Sequence, residues 1–417
     1  MFVEALKETL NEEYNYSVTE NGALGYRTTG KELLDLNFSV ASLRKASEKD
    51  IIDKFTKAYY ENPVAAMRWL FYVRDVREGT GERRLFRIIV NDFAKTKPEL
   101  YNAIAPLISE YGRWDDLVSV LYDNKADKKV KDTVISILDK QLIQDWIAHQ
   151  KNKPVSLLAK WLPTAGASSK KTSANAVMVY TAFGLKEKEY RKAISELRKY
   201  IDVVERKMCA NEWSEIDYEK VPSRANLVHN SAFLKHDENR RRDYLEKANK
   251  GEAKINASVL YPHEIVAKYC HDTDGWSWNE RVGAYDEALE ALWKNLPDTV
   301  EGNENTIVVA DGSGSMSVPV GGSKNISALD VANALAIYFA ERSSGEFKDK
   351  YITFSSRPKL VDFSKCTTLH DKIKLALTHS ECSNTNIEAV FDLILTTAIK
   401  NKMSQDDMPK NILIVSD

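Results

Sequence analysis

Residues Ile307 to Met316 read "IVVADGSGSM", an apolar run that ends in an aspartate and continues with alternating glycines and serines. One carboxylate, Asp311, and two hydroxyls, Ser313 and Ser315, therefore follow directly after a predicted buried strand. Three interpretations of this pattern compete: a plain surface turn, a phosphate-binding loop, and a site for a hard cation such as Mg²⁺, which prefers oxygen ligands.

The phosphate-binding interpretation is poorly matched by the spacing. A Walker loop requires Gly-x-x-x-x-Gly-Lys-Ser/Thr, and a dinucleotide fingerprint requires Gly-x-Gly-x-x-Gly. Gly312 and Gly314 provide only Gly-x-Gly, and the hydrolase motif Gly-x-Ser-x-Gly is also out of register. A surface turn explains the glycines, but it does not explain an aspartate and two serines at the end of an apolar strand.

The metal interpretation predicts further oxygen donors, because two hydroxyls and one carboxylate do not complete an octahedral shell. Two candidates are Thr385 in "CSNTNIEAVF" and Asp417 at the end of "NILIVSD". Each has a simpler interpretation, since Thr385 can cap the helix that follows it and Asp417 can be a charged strand end. Together with the "DGSGS" loop, they predict a Mg²⁺ or Mn²⁺ site.

These five residues resemble the metal-ion-dependent adhesion site of von Willebrand factor type A domains. In that family Asp-x-Ser-x-Ser follows the first strand, a Thr lies in a later loop and an Asp ends the fourth strand. The resemblance implies that Ser313 and Ser315 are direct ligands and that Asp311, Thr385 and Asp417 bind directly or through water. It also implies that an acidic residue of a protein partner completes the shell.

The predicted secondary structure changes along the chain, and the segments after Pro297 must position this site. After Pro297 the order is strand, helix, two strands, two helices and a strand, which predicts a mostly parallel sheet with helices on both faces. In such a sheet, ligands bind beyond the carboxyl ends of the strands, where Asp311 and Asp417 are expected. The resemblance implies further strands after "NILIVSD", so we expect a fragment of a longer reading frame or a domain completed by another polypeptide.

The region from about Leu33 to about Leu296 has apolar residues at helical spacing almost throughout. Short breaks at Asn62-Pro63, Gly79-Thr80-Gly81, Lys97-Pro98 and Gly112 predict helices that pack on their neighbours. Stacked helix pairs of the HEAT type follow from this pattern, and an irregular helical bundle is the alternative.

This region also resembles a known family through segments such as "LFYVRDVREGTGERRLFR", "LISEYGRWDDLV" and "WSEIDYEKVPSRA". The similarity is to the uncharacterised branch of a TROVE-like family, and more distantly to Ro ribonucleoproteins, in which a helical region precedes a type A domain. It implies a helical domain at residues 1–300, an incomplete type A-like domain at 301–417, and RNA binding by the helical repeats.

Local charge gives independent but limited support for RNA binding. Residues 151–207 contain thirteen Lys and Arg against five Asp and Glu, although the whole chain has a formal net charge of −2. Basic segments suit phosphate contacts, and Trp161 and Tyr190 could stack on bases, but basic helix faces are usually solvated and both aromatics also suit core positions. The candidates in this region are Lys160, Lys170, Lys171, Arg191, Lys192 and Arg198.

A second basic cluster contributes Arg77, Arg83 and Arg84, which flank the Gly79-Thr80-Gly81 turn. Arginine can bind phosphate with a bidentate fork. The alternative is a helix hairpin held by intramolecular ion pairs to neighbouring acidic residues.

Composition excludes several other classes of protein. The seven histidines and four cysteines are scattered without catalytic or metal-ligand spacing, so we expect no enzyme. No run approaches the ~18 apolar residues of a membrane span, and no signal peptide precedes the first helix, which predicts a cytoplasmic protein. We therefore expect an RNA-binding ribonucleoprotein-like scaffold with a Mg²⁺-dependent ligand site, or alternatively a protein–protein adaptor that binds no RNA.

Overall fold

The computed structural model describes residues 15–18, 24–270, 282–300, 306–320, 325–380 and 385–416. The chain forms two compact units, Met1–Arg206 and Lys207–Asp417. The domain boundary predicted at residue 300 lies within the second unit and stays a prediction. The described part is mostly helical with a C-terminal mixed sheet, in agreement with the predicted combination of an α region and an α/β region.

In its described part, the first unit consists of a short antiparallel hairpin followed by helices. Each helix packs mainly on helices one or two positions away in the chain, so the packing is local in sequence. The elements are β1 (Tyr16–Val18), β2 (Leu24–Tyr26), α1 (Glu32–Phe38), α2 (Val40–Leu43), α3 (Glu48–Glu61), α4 (Pro63–Arg74), α5 (Arg83–Thr96), α6 (Pro98–Tyr111), α7 (Trp114–Leu121), α8 (Lys128–Gln150), α9 (Leu158–Trp161), α10 (Lys170–Ala182), α11 (Glu187–Ile201) and α12 (Val204–Cys209), which begins in this unit.

Local side-chain chemistry sets the helix boundaries. Ser47 caps α3 by accepting a hydrogen bond from Asp50 N, and Asn62 caps α4 in the same way, with Pro63 at the first helical position. The helices break at the four sites predicted from the sequence. Their buried faces form one continuous apolar core that extends from Leu36 to Leu197.

Gly112 shows how closely the helices approach in this unit. A Cβ atom at this position would lie 2.6 Å from Ile108 O and 2.7 Å from Asp116 Oδ2. Only glycine therefore lets the chain turn between α6 and α7 while the carboxylate of Asp116 remains beneath it. This turn positions the acidic start of α7 against the arginines of α4 and α5.

The second unit combines helices with a four-stranded sheet in its described part. Its elements are α13 (Ser223–His236), α14 (Glu238–Lys250), α15 (Pro262–Cys270), α16 (Glu287–Lys294), β3 (Thr306–Asp311), α17 (Ala328–Arg342), β4 (Lys350–Phe354), β5 (Leu360–Asp362), α18 (Leu369–Thr378), α19 (Ile387–Asn401) and β6 (Asn411–Val415).

The strand order is β5-β4-β3-β6, with β3 parallel to both of its neighbours and β5 antiparallel to β4. The prediction of a mostly parallel sheet is confirmed. The antiparallel strand arises because only five residues separate Phe354 from Leu360, which is enough for a hairpin but too few for a crossover helix. Strand β3 is buried from Ile307 to Asp311, as expected for a central strand covered on both faces.

A buried carboxylate joins the preceding helices to the sheet region of this unit. Glu290 on α16 accepts hydrogen bonds from the first two backbone N–H groups of α18, at 2.9 Å from Leu369 N and 3.0 Å from His370 N. The Tyr269 hydroxyl on α15 donates to the same carboxylate at 2.8 Å. A carboxylate at a helix N-terminus satisfies N–H groups that the helix itself cannot.

Strand β6 lies at one edge of the described sheet, and Ile414 on it is exposed. Helix α19 contacts the sheet through Val390, while other apolar side chains of the helix remain exposed. Within the described ranges, every helix is too short or too polar to cross a bilayer.

Candidate functional site

Asp311 ends β3 at the carboxyl edge of the sheet and is only 1% exposed. Its Oδ1 accepts a hydrogen bond of 2.8 Å from Ser313 N, so the carboxylate orders the loop that follows it. A buried carboxylate is stable only when hydrogen bonds or a cation compensate its charge. The loop supplies part of this compensation.

The two serines of the loop point toward each other. Ser313 Oγ and Ser315 Oγ lie 2.9 Å apart, at the start of a short 3₁₀ turn that spans Gly314–Ser317. Ser313 is buried and Ser315 is exposed, so the hydroxyl pair extends from the sheet edge to the surface. This convergence of two hydroxyls is what the metal interpretation of the sequence requires.

Ser416 is a member of the site that the sequence reasoning missed. Because β6 runs parallel to β3, the residues after the two strands meet at the same edge, and Ser416 Oγ donates a 2.6 Å hydrogen bond to Asp311 Oδ2. The signal was present in "IVSD", since a serine precedes the predicted aspartate ligand. Asp417 itself lies outside the described residues.

Gly312 brings a third segment close to the loop. A Cβ atom on Gly312 would lie 2.9 Å from Ser380 Cα, so the backbone after α18 packs directly on the "DGSGS" loop. Thr385 follows in the same connection and is exposed. Asn386, rather than Thr385, caps α19, because its side chain accepts a hydrogen bond of 3.0 Å from Ala389 N. The Thr385 hydroxyl is therefore not required as a cap.

These oxygen atoms fit a hard cation better than a soft one. One carboxylate and two hydroxyls lie together, and hard cations such as Mg²⁺ and Mn²⁺ bind oxygen ligands. Both carboxylate oxygens of Asp311 already accept protein hydrogen bonds, which suits a role through bound water. In the described part of the chain, no three His, Cys, Asp or Glu side chains form a metal-ligand group.

The three candidate arginines that flank the Gly79-Thr80-Gly81 turn have different surroundings. Arg84 donates to the carbonyl oxygens of Leu43 and Ala46, at 3.3 and 2.9 Å, and so caps the end of α2. Arg83 bonds to the carboxylate of Asp115 on α7. Arg77 is exposed, and its side chain makes no ion pair within the described ranges.

Two adjacent carboxylates at the start of α7 bind four arginines. Arg74 donates twice to Asp116 Oδ2, at 3.0 and 2.8 Å, and both of these residues are buried. Other guanidinium groups contact the same pair of carboxylates: Arg83 and Arg87 from α5, and Arg113 from the residue before α7. The sequence "GRWDD" contains the acidic pair and Arg113, but the other three arginines lie 29 to 42 positions away.

The candidates between residues 151 and 207 are also dispersed. Arg198 donates to Ala159 O, Thr164 Oγ1 and Leu162 O at 2.7 to 2.8 Å, and burial lowers its pKa. Its guanidinium therefore holds the segment that follows α9. The others are exposed: Lys160, Lys170 and Lys171, and also Arg191 and Lys192, which form i,i+4 pairs on α11.

The two aromatic candidates differ in accessibility. Tyr190 is fully buried and donates to Pro163 O at 2.7 Å, and burial raises its pKa. Trp161 is partly exposed, and the guanidinium of Arg113 lies 4.4 Å from its ring centroid. Lys160 Nζ lies 5.9 Å from the same ring. Trp161 is thus the aromatic side chain of the two that a ligand can reach.

The fold and the candidate site define a class of protein in which a long helical region precedes an α/β region with oxygen donors at the carboxyl ends of its parallel strands. The chain belongs to the family described as "Domain of unknown function (DUF2828)", whose model matches residues 19–145 and 112–305. Residues 305–417 match a second model, "Domain of unknown function (DUF7788)".

One relative is the uncharacterized protein L728 of Acanthamoeba polyphaga mimivirus. It is 28% identical to this chain over 438 residues, and the match covers 97% of this chain and 73% of the relative. No solved structure matches the chain.

Proposed function

We propose that this protein is a non-enzymatic, RNA-binding scaffold of the ribonucleoprotein type, with a Mg²⁺- or Mn²⁺-dependent site for an acidic protein ligand. In this proposal the helical region is a TROVE-like, HEAT-like scaffold, and the C-terminal region is related to von Willebrand factor type A domains. The protein acts in the cytoplasm.

The observation that carries the metal-dependent part is the convergence at the carboxyl edge of the sheet. Asp311, Ser313 and Ser315 lie together there, and Ser416 brings the end of β6 against Asp311. Asp417 is the next residue in the chain. In parallel α/β sheets this edge is where ligands bind.

The composition of the site favours binding over catalysis. Hydroxyls, a buried carboxylate and bound water would hold the cation, and the cation would present an open position to a carboxylate of the partner. The proposed metal thus supplies charge and a coordination position. Ser313 and Ser315 orient it, and Asp311 holds the loop through Ser313 N.

The RNA-binding part rests on the family resemblance and on local charge. Residues 151–207 carry thirteen basic against five acidic side chains, and Lys160, Lys170 and Lys171 are exposed. Phosphate contacts require positive charge on the surface and do not require a basic protein overall. A scaffold of this kind binds RNA with the helical region and a protein ligand with the sheet region.

The experiment that tests the metal site is a titration of Mn²⁺ and Mg²⁺ into the whole chain, followed by thermal unfolding and calorimetry. Ser315→Ala removes an exposed hydroxyl from the site and leaves Asp311 in place, so it should fold normally and bind more weakly. Ser317→Ala in the same turn is a matched control, since Ser317 is exposed and lies outside the proposed ligand set. Equal responses of the parent and Ser315→Ala would refute the assignment.

RNA binding is measured separately, with a short oligouridylate and a structured RNA at several salt concentrations. Phosphate contacts predict an affinity that falls steeply with salt. Metal binding without RNA binding would favour a protein–protein adaptor instead.

A further inference from the structure

The carboxylates of Asp115 and Asp116 lie among arginine side chains, and three of their four oxygens accept hydrogen bonds. Asp115 Oδ2 lies 2.7 Å from Arg87 Nη2 and 3.3 Å from Arg113 Nη2, and it also accepts from Arg83. Both oxygens of Asp116 accept hydrogen bonds, one from Arg87 and the other from Arg74 and Arg113 N. Both oxygens of Asp116 are therefore occupied, and Asp115 Oδ1 is buried 3.2 Å from Arg113 Nε.

The guanidinium groups, in contrast, retain unused donors. Each arginine side chain carries five N–H donors. Within the described part of the chain, the Nη1 groups of Arg83, Arg87 and Arg113 make no hydrogen bond or ion pair. Side chains of Arg83 and Arg113 are 44% and 35% exposed, so a ligand can reach them from solvent.

The network is also unbalanced in charge. Four arginines share two carboxylates. The Arg113 guanidinium also lies over the ring of Trp161, and the ammonium group of Lys160 lies near the same ring. Burial lowers the pKa of Arg83, and repulsion from Arg87 and Arg113 lowers it further, against the opposing attraction of Asp115 and Asp116. An additional anion would relieve this repulsion.

The packing unites the two basic clusters that lie far apart in the sequence. Helix α9, which carries Lys160 and Trp161, packs on α7, which Arg113 precedes, and α7 packs on α5, which carries Arg83. A planar guanidinium over an indole ring, flanked by a lysine, offers both a stacking surface and phosphate donors.

We propose that Arg83, Arg87 and Arg113, together with Trp161 and Lys160, form a binding site for the phosphate groups of single-stranded RNA. This inference rests on the proposed RNA-binding function and assigns it a location. Guanidinium forks match the oxygens of phosphate, and Trp161 adds a surface for a neighbouring base. Among the nine basic candidates from the sequence, this assignment selects Arg83 and Lys160 and adds Arg87 and Arg113.

The test measures binding of a fluorescent oligouridylate to the whole chain across a salt series. Lys160→Gln leaves the carboxylate network intact, and Arg83→Gln combined with Arg113→Gln removes two of the proposed donors. The double variant should bind about tenfold more weakly, with a shallower salt dependence by roughly 0.7 per lost phosphate contact. Lys160→Gln should weaken binding severalfold and change the salt slope in the same direction.

Lys49→Gln provides the matched control for charge, because Lys49 is exposed on α3 and makes no ion pair within the described ranges. Circular dichroism and thermal unfolding of each variant separate a binding defect from a folding defect. If the parent binds RNA and neither Lys160→Gln nor the double variant differs from it, the site assignment is overturned and the RNA-binding function stands.

If the parent binds no RNA at low salt, the proposed function fails. Binding of polyglutamate through the same residues, without binding of oligouridylate, would overturn the assignment in favour of an acidic protein ligand.

Discussion

Ser416 Oγ donates a 2.6 Å hydrogen bond to Asp311 Oδ2 and so joins two residues that are 105 positions apart in the chain. The contact exists because β6 and β3 are parallel neighbours, with Val415 paired to Ala310. Asp311 consequently has a partner on each oxygen, Ser313 N on one and Ser416 on the other. Its orientation at the sheet edge depends on both strands.

The first prediction concerns Ser416→Ala, which removes the hydrogen bond without changing the proposed ligand set. Groups that orient metal ligands commonly contribute about 10- to 100-fold to metal affinity. We expect Mn²⁺ affinity, measured by calorimetry, to fall by about tenfold. Ser356→Ala, at an exposed serine in the turn between β4 and β5, should leave the affinity unchanged. Unchanged affinity in Ser416→Ala would show that Asp311 does not depend on this contact.

The second prediction concerns the carboxylate that caps α18. Glu290→Gln keeps the side-chain shape but replaces one acceptor oxygen by an amide donor, which faces backbone N–H groups or the Tyr269 hydroxyl. We expect the free energy of unfolding, measured by denaturant titration, to decrease by about 1–3 kcal/mol. Glu287→Gln on the same helix is the control, and its effect should remain within about 0.5 kcal/mol. Equal effects would mean that the cap contributes nothing specific.

Local elements of the fold could be predicted from the sequence because their determinants are adjacent residues. Asn62-Pro63 starts α4, and Ser327 starts α17 through a capping box with Asp330. The site at the sheet edge was also predictable in part, since parallel strands end at one edge and Asp311 ends an apolar run. Ser416 follows from the same logic.

Contacts between distant helices could not be predicted in this way. Glu290 and Leu369 are 79 residues apart, and nothing in the periodicity of either segment indicates that one caps the other. The stack of Arg113 on Trp161 similarly depends on how α9 packs on α7. Amphipathic spacing identifies the buried face of a helix but does not identify the helix that covers it.

The third prediction concerns the exposed apolar stripe of α19. Ile387, Phe391, Leu395 and Ile399 repeat every four residues, and the last two are 56% and 68% exposed. Contiguous apolar surface of this kind promotes association. Leu395→Lys combined with Ile399→Glu should reduce self-association in light scattering while changing unfolding stability by less than about 0.5 kcal/mol.

A matched pair in the first unit controls for the added charges in that experiment. Leu34→Lys combined with Ile143→Glu makes the same substitutions at exposed apolar positions outside the stripe. This control should associate as the parent does. If both pairs reduce association equally, the effect comes from surface charge and not from the α19 stripe.

The last prediction is a loss of stability at alkaline pH. Burial raises the pKa of Tyr269, and the neighbouring Glu290 carboxylate raises it further. The protonated hydroxyl is thus favoured in the folded state, so its contribution to stability is complete below the ordinary tyrosine pKa of about 10 and is lost as pH rises above it. Because the folded state binds more protons in this range, the free energy of unfolding decreases with pH by about 1.4 kcal/mol per pH unit for each such tyrosine.

Tyr269→Phe should reduce this slope by about that amount in denaturant titrations above pH ~10, whereas Tyr60→Phe, at an exposed position, should leave it unchanged. An identical slope in Tyr269→Phe and the parent would mean that Tyr269 ionises equally readily in both states.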